Sequence, residues 1–304
     1  MESGNIAFGN GKKDEKVFVG IVDEEEEKVL HLREAQRQKG EKVTIPITML
    51  ECIEKGTECF EKICDIVNWA KENEGTAYYP LTEVKILAPI PRPRKNILCV
   101  GKNYREHAIE MGGEESIPEN IMIFTKAPTT VIGMDEKINS HPHATNELDY
   151  EGELAIIIGK RGKQIKKEKA LEHVFGYTII NDITARDIQR KHKQFFLGKS
   201  FDTFCPMGPY LIHKSMVEAP NALHIETVVN GEIRQTSNTN KMIFSIEEII
   251  STISKGMTLE PGDIIATGTP AGVGKGFTPP KFLHAGDEVV ITVEGIGTLR
   301  NVVK

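Results

Sequence analysis

No apolar run in this chain of 304 residues approaches the ~20 residues that a membrane-spanning helix needs. The first segment, MESGNIAFGNGKKDEK, also lacks the hydrophobic core of a secretory signal. Basic residues are spread among a small excess of acidic ones, so the sequence has no basic patch of the kind that nucleic-acid-binding proteins use. We therefore expect a cytoplasmic protein that binds neither a membrane nor nucleic acid.

Cysteine is scarce and is not arranged for disulfide pairing or for a metal. The cysteines are odd in number and include no C-x-x-C pair, whereas a secreted disulfide framework needs paired cysteines. This pattern predicts reduced thiols and argues against a zinc site built from cysteine ligands. The five cysteines are Cys52, Cys59, Cys64, Cys99 and Cys205.

Proline divides the chain into two predicted parts. Residues 1–87 are expected to form a small N-terminal α+β domain, with an acidic hairpin in residues 17–32 and a helix across residues 48–72. Residues 88–94 contain three prolines, which lack the N–H that a strand ladder needs, and they predict an extended connector. Residues 95–304 are expected to form a second, larger domain.

The second part is dense in short apolar segments that are separated by glycine turns. Segments such as NILCVG, ELAIIIGK and DEVVITVEG predict β-strands, and few helices lie between them. This order predicts a β-rich α+β fold and not a doubly wound α/β fold. One of the helices is expected to begin at Thr184, which with Asp187 matches the S/T-x-x-D/E capping box.

Three acidic residues carry the strongest indication of chemistry. Glu151 and Glu153 lie two apart at the start of a predicted buried strand, so their side chains share one face. Asp182 follows a second apolar run, VFGYTIIN. Carboxylates that converge on one point repel each other unless a cation lies there, and an all-oxygen set suits Mg²⁺ or Mn²⁺. An isolated E-x-E pair would more often indicate the solvated face of an edge strand. Here the surrounding sequence favours the metal site instead.

Two further features are candidates for catalysis. His107 and Glu110 are three apart on a short predicted helix, and a carboxylate beside an imidazole is how a general base is built. Such a pair alone is more often a surface contact. Lys199 lies among aromatic residues in FFLGKSFDTFCP, where desolvation would affect its ammonium group. On local grounds, a lysine whose amine reaches solvent from a packed segment fits that sequence equally well.

The segment GTPAGVGKG resembles a phosphate-binding loop but does not match its pattern. Counting back from Lys275, the first glycine position holds Thr269, and Gly276 follows the lysine where the motif needs Ser or Thr. A nucleotide site is therefore not expected. We predict instead a tight turn whose backbone and Thr269 hydroxyl approach a ligand closely.

Taken together, several segments resemble the fumarylacetoacetate hydrolase family, and they follow one another in family order from about residue 95 to residue 304. The N-terminal part and its proline junction resemble the longer bacterial members, of the YisK type. The matching segments are ILCVGKNYREHAIEMG, IFTKAPTTVIG, LDYEGELAIIIGK, GYTIINDITARDIQ, LGKSFDTFCPMGP, VNGEIRQ and TLEPGDIIATGTPAGVG.

The resemblance implies a catalytic domain that is a rolled mixed β-sandwich, paired in a homodimer. It implies metal ligands at Glu151, Glu153 and Asp182, the three residues already selected from their spacing. It also implies a lid that carries a His–Glu dyad, which His107 and Glu110 match. The remaining residues that it places around the substrate are Lys199, Arg186, Gln189 and Thr269.

The resemblance further implies a small 2-oxo acid as substrate and a divalent metal as cofactor. The expected reaction is C–C bond cleavage, as in an oxaloacetate decarboxylase or an acylpyruvate hydrolase. An alternative is isomerisation or decarboxylation of ring-cleavage products such as 2-hydroxyhepta-2,4-diene-1,7-dioate. A second alternative, from a different class, is a mainly protein-binding role in which the N-terminal part docks a partner.

Overall fold

The structure, a computed structural model, describes residues 7–14, 16–73, 75 and 77–304. Strands outnumber helices among these residues, which confirms the predicted β-rich α+β class. The strands are β1 (Ala7–Lys13), β2 (Lys16–Asp23), β3 (Lys28–His31), β4 (Tyr78–Pro80), β5 (Lys85–Leu87), β6 (Ile97–Gly101), β7 (Met122–Lys126), β8 (Val131–Ile132), β9 (Lys137–Ile138), β10 (Leu148–Asp149), β11 (Gly152–Ile158), β12 (Val174–Asn181), β13 (Thr184–Ala185), β14 (Cys205–His213), β15 (His224–Val229), β16 (Glu232–Asn238), β17 (Ile264–Ala266), β18 (Glu288–Val293) and β19 (Gly297–Val303). The α-helices are α1 (Leu32–Gln38), α2 (Met49–Lys55), α3 (Thr57–Glu72), α4 (Arg105–Gly112), α5 (Arg186–His192), α6 (Phe196–Lys199) and α7 (Ile246–Ser254).

One large mixed sheet runs through the molecule in the order β4-β3-β2-β1-β14-β12-β11-β17-β6-β7. Strand β5 pairs with β1, and β8 pairs with β14. A second sheet has the order β16-β15-β18-β19-β9, and β10 with β13 forms a two-stranded ribbon. The centre of the large sheet is the antiparallel pair of β11 and β12, in which Glu153 lies opposite Ile180.

Strand β11 is buried on both faces, which explains why its sequence is a continuous apolar run and not an alternating one. Leu154 and Ile156 point into a core that they share with the second sheet, for example with Ile225. Ala155 and Ile157 point into the opposite core, which the N-terminal helices complete. The large sheet therefore lies between the second sheet and a helical layer.

The predicted acidic hairpin is confirmed, since β2 and β3 pair in antiparallel fashion on either side of residues 24–27. The predicted helix across residues 48–72 is two helices, α2 and α3. A capping box starts α2, in which Thr48 and Glu51 each accept a hydrogen bond from the other's backbone N–H. Gly56 ends α2 with a φ of 63°, and this left-handed backbone, which favours glycine, breaks the helical path.

The predicted capping role of Thr184 is wrong. Helix α5 begins after Ala185, and no side chain caps it. The Thr184 hydroxyl donates to the carbonyl oxygen of Asp182 at 2.9 Å, while the carboxylate of Asp187 accepts from the Thr145 hydroxyl at 2.5 Å. The turn that carries Asp182 and the loop before β10 therefore use the two polar side chains that the capping motif would have paired.

The N-terminal strands continue the same sheet as the rest of the chain, because β1 pairs with β14 at Ala7 and Ile212. The side chain of Asn10 also holds the proline segment, donating to the carbonyl oxygens of Ala88 and Pro89. The division into domains at residues 1–87 and 95–304 stays a prediction. In the part of the chain that the structure describes, no helix combines the length and the apolar character that crossing a membrane requires.

Candidate active site

The three predicted carboxylates converge where the start of β11 meets the end of β12. Glu151 immediately precedes β11, Glu153 lies within it, and Asp182 follows β12. Two hydrogen bonds fix this corner, because the Asp182 N–H donates to the Glu151 carbonyl at 2.8 Å and the Glu151 N–H donates to the Asn181 side-chain oxygen at 3.0 Å. Ligand atoms of the three carboxylates lie within 4.8 Å of one another.

Gly152 separates the two glutamates because the sheets approach closely at this point. A Cβ atom at Gly152 would lie 2.3 Å from the Thr227 hydroxyl of the second sheet. The second sheet thus presses on one face of the strand, while the glutamates occupy the other. The E-G-E spacing places two ligands on one side and leaves no side chain to separate the sheets.

The electrostatics of the three carboxylates call for a cation. All three are almost completely buried. Burial, together with the charges of Asp182 and Glu151, raises the pKa of Glu153 far above its usual range. An all-oxygen set that is buried and mutually repelling matches the donors of a hard divalent ion, so these residues fit the metal that the sequence predicts.

Lys199 lies against the same three carboxylates. Its ammonium group donates to Glu151 Oε2 and to Asp182 Oδ2, both at 2.7 Å, and lies 4.8 Å from the centre of the Phe124 ring. Although burial lowers the pKa of Lys199, the charges of Asp182 and Glu151 raise it above its ordinary value. The buried amine is therefore a cation beside the three carboxylates, and the alternative in which it reaches solvent is wrong.

A second buried lysine, which was not predicted from the sequence, completes this cluster. Lys126 is on β7 and donates to Asp182 Oδ1 at 2.5 Å and to the Ile183 carbonyl at 3.0 Å. Asp182 is thereby held by one lysine at each carboxylate oxygen. Lys126 lies in the family segment IFTKAPTTVIG, and its position at the end of an apolar strand was the only signal for it.

Arg186 lies at the first position of α5 and is completely buried. Its Nε donates to Asp149 Oδ2 at 2.8 Å, and its Nη2 lies 2.7 Å from Glu151 Oε1. Asp149 also accepts from the backbone N–H groups of Gly274 and Lys275. Asp149 was not predicted as part of the site, although it is two residues before Glu151, because the sequence does not show that it pairs with Arg186.

Thr269 and Gln189 approach the same space from two different elements. The Thr269 hydroxyl donates to the Gly152 carbonyl at 3.0 Å and accepts from Gln235 Nε2 at 2.7 Å. Gln189 lies one turn after Arg186 on α5 and accepts from its Nη1 at 3.4 Å. Gln235, which was not predicted, fixes the orientation of Thr269 and also accepts from the Gly152 N–H at 3.0 Å.

The predicted dyad is formed on α4. His107 Nδ1 lies 3.1 Å from Glu110 Oε2, and the imidazole is buried. The second oxygen of Glu110 accepts from the Gly272 N–H at 2.9 Å. The loop that follows Thr269 therefore orients Glu110, and Glu110 in turn orients the histidine ring.

These side chains enclose one cavity of about 260 Å³. Seven of the nine predicted site residues line it, while Asp182 and Glu110 support it through Lys199 and His107. The groups predicted to bind substrate and those predicted to bind metal therefore face one space. The seven lining residues are His107, Glu151, Glu153, Arg186, Gln189, Lys199 and Thr269. The geometry fits the predicted roles, which stay predictions.

Comparisons with known proteins identify the family of the chain. The sequence model of the fumarylacetoacetate (FAA) hydrolase C-terminal domain matches residues 96–304. Oxaloacetate tautomerase YisK of Bacillus subtilis is 56% identical over 299 residues, which cover 97% of this chain and 99% of that protein. These matches confirm the predicted resemblance, including the YisK type.

Solved structures extend the agreement to the fold. A fumarylacetoacetate hydrolase from Exiguobacterium antarcticum superposes with a TM-score of 0.83 at 40% identity, covering 98% of this chain and 99% of the other. A 2-hydroxyhepta-2,4-diene-1,7-dioate isomerase from Mycobacterium marinum gives 0.73 at 31% identity, covering 98% of each chain. The predicted fold class is confirmed, and so is the prediction that the chain is an enzyme. By sequence and by structure, this chain belongs to the fumarylacetoacetate hydrolase family.

Proposed function

We propose that this chain is a divalent-metal-dependent enzyme that acts on small 2-oxo acids, with oxaloacetate as its first substrate. It interconverts the enol and keto forms and cleaves the C3–C4 bond, and each reaction develops an enolate at C2–C3. The observation that carries this proposal is the buried triad of Glu151, Glu153 and Asp182 with the ammonium of Lys199 against it. The 56% identical relative, named an oxaloacetate tautomerase, supports the choice of substrate.

The triad would hold Mg²⁺ or Mn²⁺, which supplies Lewis-acid activation to the C1 carboxylate and the C2 oxygen of a 2-oxo acid. Arg186 is a fixed cation beside the triad, and its planar fork suits a carboxylate. Lys199 provides positive charge where negative charge develops on the C2 oxygen as the enolate forms. Both cations are in place before the substrate binds, since carboxylates of the protein already orient them.

His107 is the proposed acid and base at C3. With Nδ1 bonded to Glu110, the other ring nitrogen is available to exchange a proton with the substrate. Removal of a proton from C3 of the keto form gives the enolate, and protonation of the C2 oxygen then gives the enol. The reverse sequence returns the keto form, so tautomerisation needs one residue that both accepts and donates a proton at C3.

C–C bond cleavage starts from the keto form and gives an enolate at the same C2–C3 position, but this enolate forms by loss of C4 and not by loss of a C3 proton. When C4 is a carboxylate, the electrons of the C3–C4 bond pass towards the C2 carbonyl, which gives the enolate of the shortened product, and CO₂ leaves without a nucleophile. When C4 is an acyl carbonyl, a water that His107 deprotonates adds to C4 before the bond breaks. The alternative substrate class is that of the Mycobacterium marinum isomerase, whose structure is 31% identical to this chain. This support is weaker than the support for oxaloacetate, which comes from the 56% identical YisK protein.

We further propose a homodimer that works in the cytoplasm with reduced thiols. None of the five cysteines is in a disulfide. Exposed apolar side chains lie together on α6 and on the edge strand β7, which are packed against each other. A second copy of the chain would cover them. Because they lie beside Lys199 and Lys126, formation of the dimer would also affect the active site. The residues are Met122, Ile123, Phe196 and Leu197.

The test is steady-state turnover of oxaloacetate and of acetylpyruvate with Mg²⁺, with Mn²⁺ and after EDTA. Loss of enol absorbance measures tautomerisation, and CO₂ release measures decarboxylation. We expect metal-dependent turnover that Glu151→Ala abolishes and that Glu172→Ala, a change at an exposed ion pair, leaves intact. Turnover that survives both EDTA and Glu151→Ala would overturn the proposal.

A further inference from the structure

The cavity contains more positive charge than its chemistry at C1 to C3 uses. Arg186 and Lys199 are paired with the carboxylates of the site, and Arg190 is paired with Glu147 by two hydrogen bonds. Three lysines of the lining have no such partner. Among the residues that the structure describes, it gives their ammonium groups neither an ion pair nor a hydrogen bond, and they are Lys102, Lys193 and Lys275.

Lys275 is held rigidly next to Arg186 by a carboxylate that they share. Asp149 Oδ2 accepts from Arg186 Nε at 2.8 Å and from the Lys275 backbone N–H at 3.1 Å. Asp149 Oδ1 accepts from the N–H groups of Gly274 and Tyr150. Every hydrogen bond of Asp149 is thus directed to Arg186 or to backbone groups, and none reaches the Lys275 ammonium.

The ammonium of Lys275 lies in a site that favours an anion. The residue is half-buried in the cavity wall, and burial together with the charges of Arg186 and Arg190 lowers its pKa, while the carboxylates of Glu147 and Asp149 raise it by less. Bringing like charges together in a partly dry cavity costs free energy unless an anion binds among them. Under the proposed function, the C1 carboxylate and C2 oxygen of a 2-oxo acid would be bound by the metal at the triad, by Arg186 and by Lys199, so that anion has to be a second group on the substrate.

We propose that Lys275 binds the distal carboxylate of the substrate and makes the enzyme selective for 2-oxo dicarboxylates over monocarboxylates. This inference rests on the proposed function, because it takes the C1 end of the substrate to lie at the triad. The segment GTPAGVGKG then acts at two points. Gly272 orients Glu110 through its N–H, and Lys275 contacts the other end of the substrate.

The two other unpaired lysines fit this role less well. Lys193 is exposed at the rim, so water screens its charge. Lys102 Nζ lies 4.0 Å from the position of a Cβ at Gly112, the last residue of α4. Its charge therefore faces the carbonyl end of that helix, where a cation is already stabilised.

The experiment compares two ligands that differ only in the distal carboxylate. Malate and lactate share the C1 carboxylate and the C2 hydroxyl, and neither is turned over by enolate chemistry. Mg²⁺-loaded wild type, Lys275→Met, Lys275→Arg and the matched rim variant Lys193→Met are titrated with both by calorimetry. Methionine keeps the unbranched shape and most of the length of the side chain, and it leaves the backbone hydrogen bond to Asp149 in place.

We expect Lys275→Met to weaken malate binding ~10- to 100-fold, the size of one lost charged hydrogen bond, and to change lactate binding less than ~2-fold. Lys275→Arg should retain most of the affinity for malate, and Lys193→Met should bind both ligands like the wild type. Equal loss of malate and lactate in Lys275→Met, or no loss of either, would overturn the inference.

The same proteins separate this inference from the proposed function. If the wild type fails to turn over oxaloacetate while Lys275→Met selectively loses malate, the reaction is wrong and the distal carboxylate site stands. If the wild type turns over oxaloacetate with metal and Lys275→Met binds malate normally, the reaction stands and Lys275 does not contact the distal carboxylate.

Discussion

Lys126 Nζ donates a hydrogen bond of 2.5 Å to Asp182 Oδ1, and both side chains are completely buried. This pair belongs to a set of buried charges in which the carboxylates outnumber the cations by one. Four carboxylates, those of Asp149 and the triad, face three cations, and the fourth negative charge is left for a metal to compensate. The three cations are Lys126, Arg186 and Lys199.

Replacing Lys126 with methionine should therefore destabilise the metal-free protein strongly. Loss of one partner leaves the other charge buried without compensation, which costs about 3–5 kcal/mol. We expect urea unfolding in EDTA to show this loss, and we expect Mn²⁺ to restore more stability to Lys126→Met than to the wild type, since the ion would compensate Asp182. Lys169→Met removes a lysine from an exposed pair with Glu172 and should have little effect. Equal losses in the two variants would contradict this expectation.

Glu153→Gln should have opposite effects on two quantities: it should raise the stability of the metal-free protein and lower its affinity for metal. Glu153 gains only one hydrogen bond, from the Gly268 N–H, and its charge is opposed by burial and by its two neighbours. The amide should therefore stabilise the metal-free protein. It should also weaken Mn²⁺ binding by more than ~100-fold. Loss of a residue that only hydrogen-bonds to a metal ligand already lowers metal affinity ~10–100-fold, and the loss of a direct ligand should cost more. Metal titration and unfolding in EDTA measure the two effects. A destabilised variant that retains metal affinity would show that Glu153 is structural.

The convergence of the three carboxylates could be predicted from the sequence because its information is local. Two glutamates two apart on a buried strand must share a face, and Asp182 ends the next apolar run, which forms the neighbouring strand. Lys126 could not be found in this way. It lies 56 residues from Asp182, and only the path of β7 through the sheet brings the two together.

The failed capping prediction at Thr184 shows the opposite limit. The S/T-x-x-D/E pattern is correct at Thr48 and Glu51, where both side chains are near the surface and have no other partners. Thr184 is buried beside the triad, and its hydroxyl donates to the Asp182 carbonyl in the same turn. The Asp187 carboxylate accepts instead from the Thr145 hydroxyl, which is 42 residues away in the sequence. A local capping motif predicts the helix start correctly where no other group competes for its side chains. It predicts the start wrongly where groups of the active site form hydrogen bonds with those side chains.

His107→Ala should affect the reactions unequally. Acetylpyruvate hydrolysis and tautomerisation need a proton moved by the imidazole, so we expect kcat/KM for both to fall ~100- to 10,000-fold. Decarboxylation needs no nucleophile and should fall less than ~10-fold. His284→Ala, at an exposed histidine, is the control for a general effect of histidine loss. If all three activities fall equally, the proposal that decarboxylation depends less on His107 than the other two reactions is wrong.

Lys275→Met should also change the products formed from oxaloacetate. A cation on the C4 carboxylate stabilises negative charge that is lost when CO₂ leaves, so Lys275 should favour tautomerisation over decarboxylation. In the variant, the ratio of CO₂ released to enol converted should rise, even if both rates fall. Parallel measurement of CO₂ and of enol absorbance gives this ratio. An unchanged ratio would mean that Lys275 does not contact the group that leaves.

The contact between α3 and the large sheet lies far from the active site. It should make the free energy of unfolding depend on pH. His213 on β14 stacks on Phe60 of α3, with ring centres 3.6 Å apart, and burial followed by the charge of Lys214 lowers the pKa of His213 from 6.5 to about 4. The folded protein therefore keeps the imidazole neutral where the unfolded chain has taken up a proton. The stability that this provides is complete above pH 6.5 and is lost as pH falls from 6.5 through about 4.

His213→Asn should remove this part of the acid sensitivity. Its unfolding free energy should be lower than that of the wild type at neutral pH, because the ring contact with Phe60 is lost. The difference between the two proteins should then narrow between pH 6.5 and about 4, where only the wild type has a histidine to protonate on unfolding. Urea unfolding across this range, with EDTA present to keep the metal site constant, measures the difference. A gap that stays constant with pH would show that His213 titrates alike in both states and that its stacking on Phe60 does not exclude the proton.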